Sequence, residues 1–239
     1  MVENSSRALL TAALSFLLLV FSRSLEPSEI LFTDDFSSTS LENNWIFYGD
    51  PRPITMDSLG CPPPCFCNNG DASGGSGIVS RGVFPISAGF FTECDVYFEC
   101  SERGTWVGAI MAIVTPGFRQ VDSNEIDYML SQMAIAYSGE LDWHCPHRQT
   151  IVMLHAMHDL ETKFKMHFYH RNQLMGGWHR FRMEINPDRT VSYLIDDSLW
   201  AVSTVPIPDT ARSVRIKLGE RSTDWGIALH DNLTVGIEQ

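Results

Sequence analysis

Short runs of alternating apolar and polar residues dominate the chain. In the clearest run, Phe90–Cys100, apolar and cysteine positions alternate with Glu93, Asp95, Tyr97 and Glu99. A period of two indicates a β-strand with one face buried. Comparable runs, divided by turn residues, cover 31–36, 44–48, 106–115, 125–137, 150–158, 163–170, 178–204, 213–218 and 225–237. A helical period competes with the strand pattern only over 121–133.

The segment Trp178–Thr204 is the best-defined supersecondary unit. Turn sequences at Asn186–Arg189 and Asp196–Ser198 divide it into alternating runs, which predicts an antiparallel meander. Gly60–Gly77, by contrast, is rich in proline and glycine and is expected to be a long loop. Roughly eleven strands without a convincing helix predict an all-β fold, in which two antiparallel sheets pack as a sandwich. We expect the first and last strands to be neighbours.

The N-terminus predicts export. Ala8–Phe21 is a largely apolar run, shorter than the about 20 residues that a membrane-spanning helix needs. Its length and the small residues before a cleavage point at Ser24 match a secretory signal, and an uncleaved signal anchor is the alternative. We therefore expect a signal peptide over 1–24, one extracellular domain over 25–239, and no membrane span in that domain.

Charge and composition exclude two classes of protein. The chain carries 17 Lys and Arg against 29 Asp and Glu, a net charge of -12. Nucleic-acid binding is excluded because it requires clustered basic side chains that neutralise phosphates. The 44% hydrophobic content also excludes a disordered chain. A neutral or basic partner fits this charge best.

Six cysteines in an exported chain predict disulfides. Cys94 and Cys100 lie on one predicted strand, about 20 Å apart, whereas a disulfide needs Cα atoms within about 7 Å. Each is therefore expected to pair elsewhere, with the 61–67 loop or with Cys145. A zinc site that also uses His144 and His147 is the alternative, although the spacings fit no regular zinc finger. The predicted disulfide residues are Cys61, Cys65, Cys67, Cys94, Cys100 and Cys145.

Three stretches resemble the concanavalin A-like lectin and glucanase superfamily, which includes laminarinases and laminin-G-like modules. They are Phe32–Phe36 with Leu41 and Trp45, then Gly177–Leu199, and finally His230–Val235. Their order and spacing carry the resemblance, and Asp197 stands where the superfamily usually has glycine. The resemblance implies that the sandwich is a jelly roll.

The same resemblance places an incomplete catalytic motif on the chain. Glycosidases of this superfamily carry an E-x-D-x-x-E strand, and the candidates here are Glu125 and Asp127. The last carboxylate position falls on Leu130, or on Met129 without a bulge, and neither side chain carries a proton. Retaining hydrolysis needs two carboxyl groups about 5–5.5 Å apart. We therefore expect a protein without catalytic activity. If the protein is an enzyme, it is expected to be a glycoside hydrolase.

Carbohydrate binding requires hydrogen-bonding groups and aromatic faces. Carboxylates accept hydrogen bonds from sugar hydroxyls, and aromatic rings pack against sugar C–H faces. Trp143, in a loop, is the best stacking candidate, whereas Trp45 and Trp178 are expected in the core. A solvated outer face is the alternative for the acidic strip of Phe90–Cys100. The expected ligand-binding residues are Glu93, Asp95, Tyr97, Glu125, Asp127 and Trp143.

Two further sites are expected near the terminal strands. The resemblance implies a structural Ca²⁺ ion held by Asp35, Gly70 and Asp231, because hard oxygen ligands suit that ion. Asn232-Leu233-Thr234 is an N-glycosylation sequon.

These features support a secreted, lectin-like module that binds carbohydrate or a glycoconjugate without cleaving it. One alternative is a glycoside hydrolase or lyase acting on polysaccharide through Glu125. The other is an extracellular adhesion or structural module, akin to laminin-G-like domains, whose partner is a protein.

Overall fold

The part of the chain that the structure describes folds as strands with little other regular structure. The computed structural model describes residues 28–38, 40–48, 53–56, 64–68, 76–100, 106–118, 129–138, 150–156, 165–170, 177–220 and 226–239. A short 3-10 turn spans Leu41–Asn43. The strands of the described residues are β1 (Glu29–Asp34), β2 (Trp45–Tyr48), β3 (Pro53–Met56), β4 (Cys65–Asn68), β5 (Ser76–Ser80), β6 (Phe84–Pro85), β7 (Phe90–Cys100), β8 (Trp106–Val114), β9 (Met129–Ser138), β10 (Thr150–Ala156), β11 (Lys165–His170), β12 (Trp178–Ile185), β13 (Val191–Ile195), β14 (Ser198–Val202), β15 (Ser213–Glu220) and β16 (Gly226–Ile237).

Two antiparallel sheets make up the fold. The first has the order β14-β13-β12-β7-β16-β4-β3, and β1 also pairs with β16. The second has the order β11-β10-β9-β8-β15-β5-β2, and β6 also pairs with β15. The expected all-β sandwich is confirmed, as is the pairing of the first strand with the last. Among the described residues, no helix is long and apolar enough to cross a membrane.

The inner faces of the two sheets form the main core. The inward residues of β7, β12 and β13 alternate with outward polar ones, as the sequence pattern predicts. Trp45, Phe36 and Phe66 are among the largest fully buried side chains. The inner layer also holds a few polar groups, and Ser131 Oγ lies 2.8 Å from Tyr193 Oη across the two sheets.

Asp34 fixes the connection between β1 and β2 through hydrogen bonds. Its carboxylate accepts hydrogen bonds from the Phe36 amide (2.8 Å), the Trp45 indole Nε1 (2.8 Å) and Asn44 Nδ2 (3.3 Å). Phe36 has a left-handed backbone conformation, with φ of 54°, and its ring stacks on Trp45. The Asp-Asp-Phe and Trp pattern of the sequence is thus one hydrogen-bonded unit.

The meander follows the predicted boundaries. β12, β13 and β14 pair in succession, and the turn between the last two lies at Asp196 and Asp197. Both turn residues have positive φ, 49° and 60°. This left-handed pair is the geometry of a tight hairpin turn, which aspartate tolerates in place of glycine.

One expectation about the cysteine-rich segment and one about Cys94 are wrong. Residues 65–68, expected in a loop, form β4 and pair with both β3 and β16. Cys94, expected in a disulfide, is a free and buried thiol. Cys94 points into the main core, whereas Cys65 and Cys67 pack on the opposite face of the same sheet, so they cannot reach one another.

The remaining disulfide predictions are only partly covered by the structure. Cys65, Cys67 and Cys94 form no disulfide with one another. Cys61 and Cys145 lie outside the described residues, as does the side chain of Cys100.

Candidate functional site

The outer face of the first sheet carries an aromatic pair. Tyr97 on β7 is in register with Trp178 on β12, and their ring centroids are 5.7 Å apart with an interplanar angle of 43°. Both side chains are half-buried, and both pack against a buried layer of Cys65, Cys67 and Leu229. The pair is thus held from below and presents part of its ring surface outward.

A polar array borders this pair. Asp95 accepts hydrogen bonds from Arg180 Nε (3.0 Å) and Nη2 (3.4 Å), and also from Asn232 Nδ2 (3.0 Å). The hydrogen bonds to Asp95, and then its charge, raise the pKa of Arg180. We call the surface formed by Tyr97, Trp178, Asp95, Arg180 and Asn232 the β7–β12 face. Its charged groups are held in fixed positions by one another.

A second ion-pair network lies beside the β7–β12 face. Arg182 contacts Glu93 at 3.0 Å, Glu184 at 3.7 Å and Glu238, and its guanidinium stacks 4.0 Å from the centre of the Phe91 ring. Burial, followed by the charge of Glu238, raises the pKa of Glu184. Arg182 therefore connects β12 and β7 to Glu238, and the carboxylate of Glu93 is bonded to Arg182 within this network.

The outer face of the second sheet differs in character. Where its side chains are described, they form a buried apolar cluster that includes Tyr48, Val114 and Phe118. Lys217 is also buried there, with Nζ 4.9 Å from the centre of the Tyr48 ring and 5.4 Å from that of Phe118. The described part of this face is therefore buried, whereas the β7–β12 face presents partly exposed groups.

The residues predicted to bind ligand divide between described and undescribed regions. Glu93, Asp95 and Tyr97 all lie on the outer face of the first sheet. Glu125, Asp127 and Trp143 lie outside the described residues. β9, which follows Glu125 and Asp127 in sequence, belongs to the second sheet. The acidic strip of β7 and the strand after the incomplete catalytic motif are thus in different sheets.

The start of β9 carries apolar side chains. Met129 pairs with Val114, whereas Ser131 pairs with Ile113, which places the irregularity at Leu130. Met129 and Leu130 are only 8% and 6% exposed. Both positions at which the last carboxylate of the motif was sought are therefore buried and apolar.

Sequence reasoning misplaced one tryptophan. Trp45 is fully buried, as expected, but Trp178 is half-buried on the outer face. The alternation already contained this signal, because Trp178 shares its parity with Arg180, Arg182 and Glu184 rather than with Phe181 and Met183.

The residues predicted to hold calcium are partly described. Asp35 is exposed, and hydrogen bonding to Ser37 lowers its pKa. Asp231 is buried, and its carboxylate accepts the Asn232 amide at 2.7 Å. Gly70 lies outside the described residues. Among the residues that the structure covers, no three His, Cys, Asp or Glu side chains are close enough together to hold a metal ion.

A polar cavity of about 480 Å³ lies beside these residues. Asp35 and Asn232 line it together with Thr33, Asp34, Ser38, Asn44, Leu233 and Thr234. Asn232, the predicted glycosylation site, has a left-handed backbone with φ of 50° and donates its side-chain amide to Asp95. Calcium binding and glycosylation both stay predictions.

Comparisons with known proteins identify the architecture. No family model matches the chain, and no curated protein sequence matches it. A β-glucanase from Bacillus licheniformis matches at a TM-score of 0.52 and 12% identity, over 87% of this chain and 98% of that one. The Emp47p carbohydrate recognition domain matches at a TM-score of 0.57 and 12% identity, over 89% and 95%. The chain has the concanavalin A-like jelly-roll fold.

A third structure widens the range of chemistry found on this fold. The Crh5 transglycosylase, solved in complex with NAG, matches at a TM-score of 0.56 and 12% identity, over 89% of this chain and 88% of that one. The concanavalin A-like jelly roll thus occurs in a hydrolase, a transglycosylase and a carbohydrate recognition domain. The fold does not choose among these activities, so function has to be inferred from the side chains of the site.

Proposed function

We propose that this protein is a secreted carbohydrate-binding module without catalytic activity. The observation that carries the proposal is the Tyr97–Trp178 pair beside the Asp95–Arg180–Asn232 array. Half-buried rings lose little conformational entropy when a sugar packs on them. Polar groups already fixed by an ion pair can orient the hydroxyl groups of that sugar.

The absence of catalysis is supported by the apolar start of β9. A glycosidase needs one carboxyl group as acid and another as nucleophile or base. Met129 and Leu130 cannot supply the missing group, and both are buried. Two of the three structures named above are enzymes, which makes Glu125 the residue to test for any residual turnover.

A glycan array followed by calorimetry tests the binding proposal. We expect the wild-type protein to bind at least one glycan, and Trp178→Ala to weaken that affinity about tenfold by removing the stacking surface. Leu199→Ala is the matched control, because Leu199 is 61% exposed on β14, which β13 separates from β12. If folded protein binds no glycan, the proposal is wrong.

Turnover and protein binding distinguish the other two functions. Release of reducing ends from a polysaccharide, abolished by Glu125→Gln, would establish a glycoside hydrolase instead. Retention of one protein partner after enzymatic removal of its glycans would establish an adhesion module.

Export is part of the same proposal, and it is supported by the apolar segment Ala8–Phe21. N-terminal sequencing of protein recovered from the medium should begin at Leu25. Recovery of the whole chain in the membrane fraction would instead indicate a retained anchor.

A further inference from the structure

The carboxylates in and beside the β7–β12 face are already paired with cationic side chains. Both carboxylate oxygens of Asp95 are occupied, by two nitrogens of Arg180 and by the amide of Asn232. Glu93 is likewise engaged by Arg182. The acidic side chains predicted from sequence to accept sugar hydroxyls are therefore already paired with arginines, and a ligand on this face also meets the N–H donors of those arginines.

Arg180 supplies those donors. Its side chain is 49% exposed, although Nε and Nη2 are fixed on Asp95. A guanidinium has five N–H groups, of which this pairing uses two. Its outer N–H groups can therefore donate to a ligand from an orientation that Asp95 sets in advance.

Trp178 and Arg180 are spaced to act together. They are alternate residues of β12, so their side chains leave the same face of the sheet about 6.5–7 Å apart. That distance is close to the width of one sugar ring. A pyranose packed on Trp178 would place one edge against the guanidinium.

The surrounding charge indicates which saccharide is favoured. The Arg180–Asp95 pair is neutral as a unit, and Glu93 and Asp197 add negative potential at the guanidinium. The whole chain also carries a net charge of -12. A carboxylated or sulfated sugar would be repelled both on approach and at contact. A neutral sugar offers oxygen acceptors without that cost.

We propose that the β7–β12 face binds a neutral saccharide stacked on Trp178, and that Arg180 is the donor that sets this specificity. This inference rests on the proposed carbohydrate-binding function. It concerns the outer face of the first sheet, not the strand that follows Glu125 and Asp127.

Calorimetry with four defined probes tests the inference: laminarihexaose and chitohexaose as neutral ligands, hexagalacturonate as a carboxylated one, and a sulfated carrageenan hexasaccharide. We expect binding to a neutral probe, little change between low and high salt, and no binding to the charged probes. Arg180→Gln should weaken binding about tenfold, through loss of a charge-assisted hydrogen bond. Arg180→Lys keeps the charge but loses the planar fork, and should also weaken it.

Arg212→Gln is the matched control, because Arg212 is an exposed arginine that follows β14 and lies outside the β7–β12 face. It changes the net charge by the same amount as Arg180→Gln and should leave the affinity unchanged. Thermal unfolding of each variant establishes that it is folded.

Two results would overturn the inference while leaving the proposed function intact. One is preferred binding of a charged probe that weakens with salt. The other is binding that Trp178→Ala abolishes but Arg180→Gln and Arg180→Lys leave unchanged. If the folded protein binds no saccharide on the wider array either, the proposed function and this inference both fail.

Discussion

Asp34 shows how a single side chain can account for a sequence signature. It is buried, and its two oxygens accept hydrogen bonds from a backbone amide, an indole and a side-chain amide. These bonds hold Phe36 in its left-handed conformation and fix Trp45 in the core. The pairing of an early aspartate with a tryptophan eleven positions later is therefore a packing requirement.

Replacing Asp34 by alanine should destabilise the fold by about 3 kcal/mol, because the buried indole and amide N–H groups of Trp45 and Phe36 would lose their charged acceptor. Urea unfolding followed by tryptophan fluorescence measures this change. Asp35→Ala is the adjacent control, since Asp35 is exposed and its carboxylate accepts the Ser37 amide two residues away. Equal losses in the two variants would contradict this account.

Cys94 shows what alternation can and cannot predict. The pattern correctly placed it on the apolar face of β7, but it could not say which face the cysteine-rich segment presents. In the fold, the Cys94 thiol donates to the Asp231 carbonyl at 3.2 Å, and burial raises its pKa. A thiol in these surroundings is a small apolar core residue rather than a reactive group.

Cys94 should therefore resist alkylation in the native protein and react once it is unfolded. Iodoacetamide labelling with and without denaturant, followed by peptide mass spectrometry, measures the modification at this position. Cys94→Ser under the same treatment identifies the labelled peptide. Finding Cys94 in a disulfide-linked peptide without reduction would contradict the structure.

β16 is the element on which the first sheet depends. It pairs with β7 on both sides of a register shift at Asp231–Thr234. On its other edge, Ala228–His230 pairs with β4 and Leu233–Ile237 pairs with β1. The register shift separates these two portions and gives Asn232 its positive φ. His230, just before the shift, points inward and bonds to the Ile110 carbonyl of the opposite sheet at 3.1 Å.

His230 makes stability depend on pH. Burial lowers its pKa from 6.5 to about 4, and its Nδ1 finds no hydrogen-bond partner among the described residues. Because the folded state holds the neutral form, the stabilisation is complete above pH about 6.5 and is lost as the pH falls towards 4. The loss should reach about 3 kcal/mol.

Urea unfolding between pH 7 and pH 4 measures this loss. His230→Gln keeps a donor for the Ile110 carbonyl but cannot titrate, so its stability should depend less on pH than that of the wild type. A His230→Gln curve parallel to the wild type would contradict the assignment.

Element boundaries were predictable where strands are half-buried. The meander of β12, β13 and β14 follows its alternation and its turn residues closely. β4 was missed because its segment Cys65–Asn68 is short and lies among prolines, glycines and cysteines. β4 forms a strand because it pairs with β3, which is equally short, and with β16, which is distant in sequence.

The candidate site emerges only at the scale of the whole molecule. Tyr97 is far from Trp178 in sequence, and Asp95 is far from Asn232. Both pairs meet because β7 lies between β12 and β16. Alternation indicates which residues share a face of one strand, whereas the order of strands decides which faces combine. The sequence therefore predicted the acidic strip but neither its arginine partners nor its aromatic neighbour.

The predicted Ca²⁺ ion should affect the stability of the whole molecule, because its expected ligands lie near the first and last strands. If the ion binds, saturating Ca²⁺ should raise the unfolding temperature by about 5 °C or more, since a ligand at 100 times its Kd stabilises by about 2.7 kcal/mol. Differential scanning fluorimetry with Ca²⁺, Mg²⁺ or EDTA measures this shift, and Asp231→Asn should reduce it. Identical melting curves in Ca²⁺ and EDTA would remove the metal site.

The position of β15 and β16 has a consequence for how the chain acquires its structure. β15 lies between β8 and β5 in one layer, and β16 lies between β7 and β4 in the other. The two segments that follow all the other described strands in sequence are thus interior members of the two layers. Neither layer can close before these segments are available, so the many long-range pairings of the sandwich form only once β15 and β16 have been synthesised.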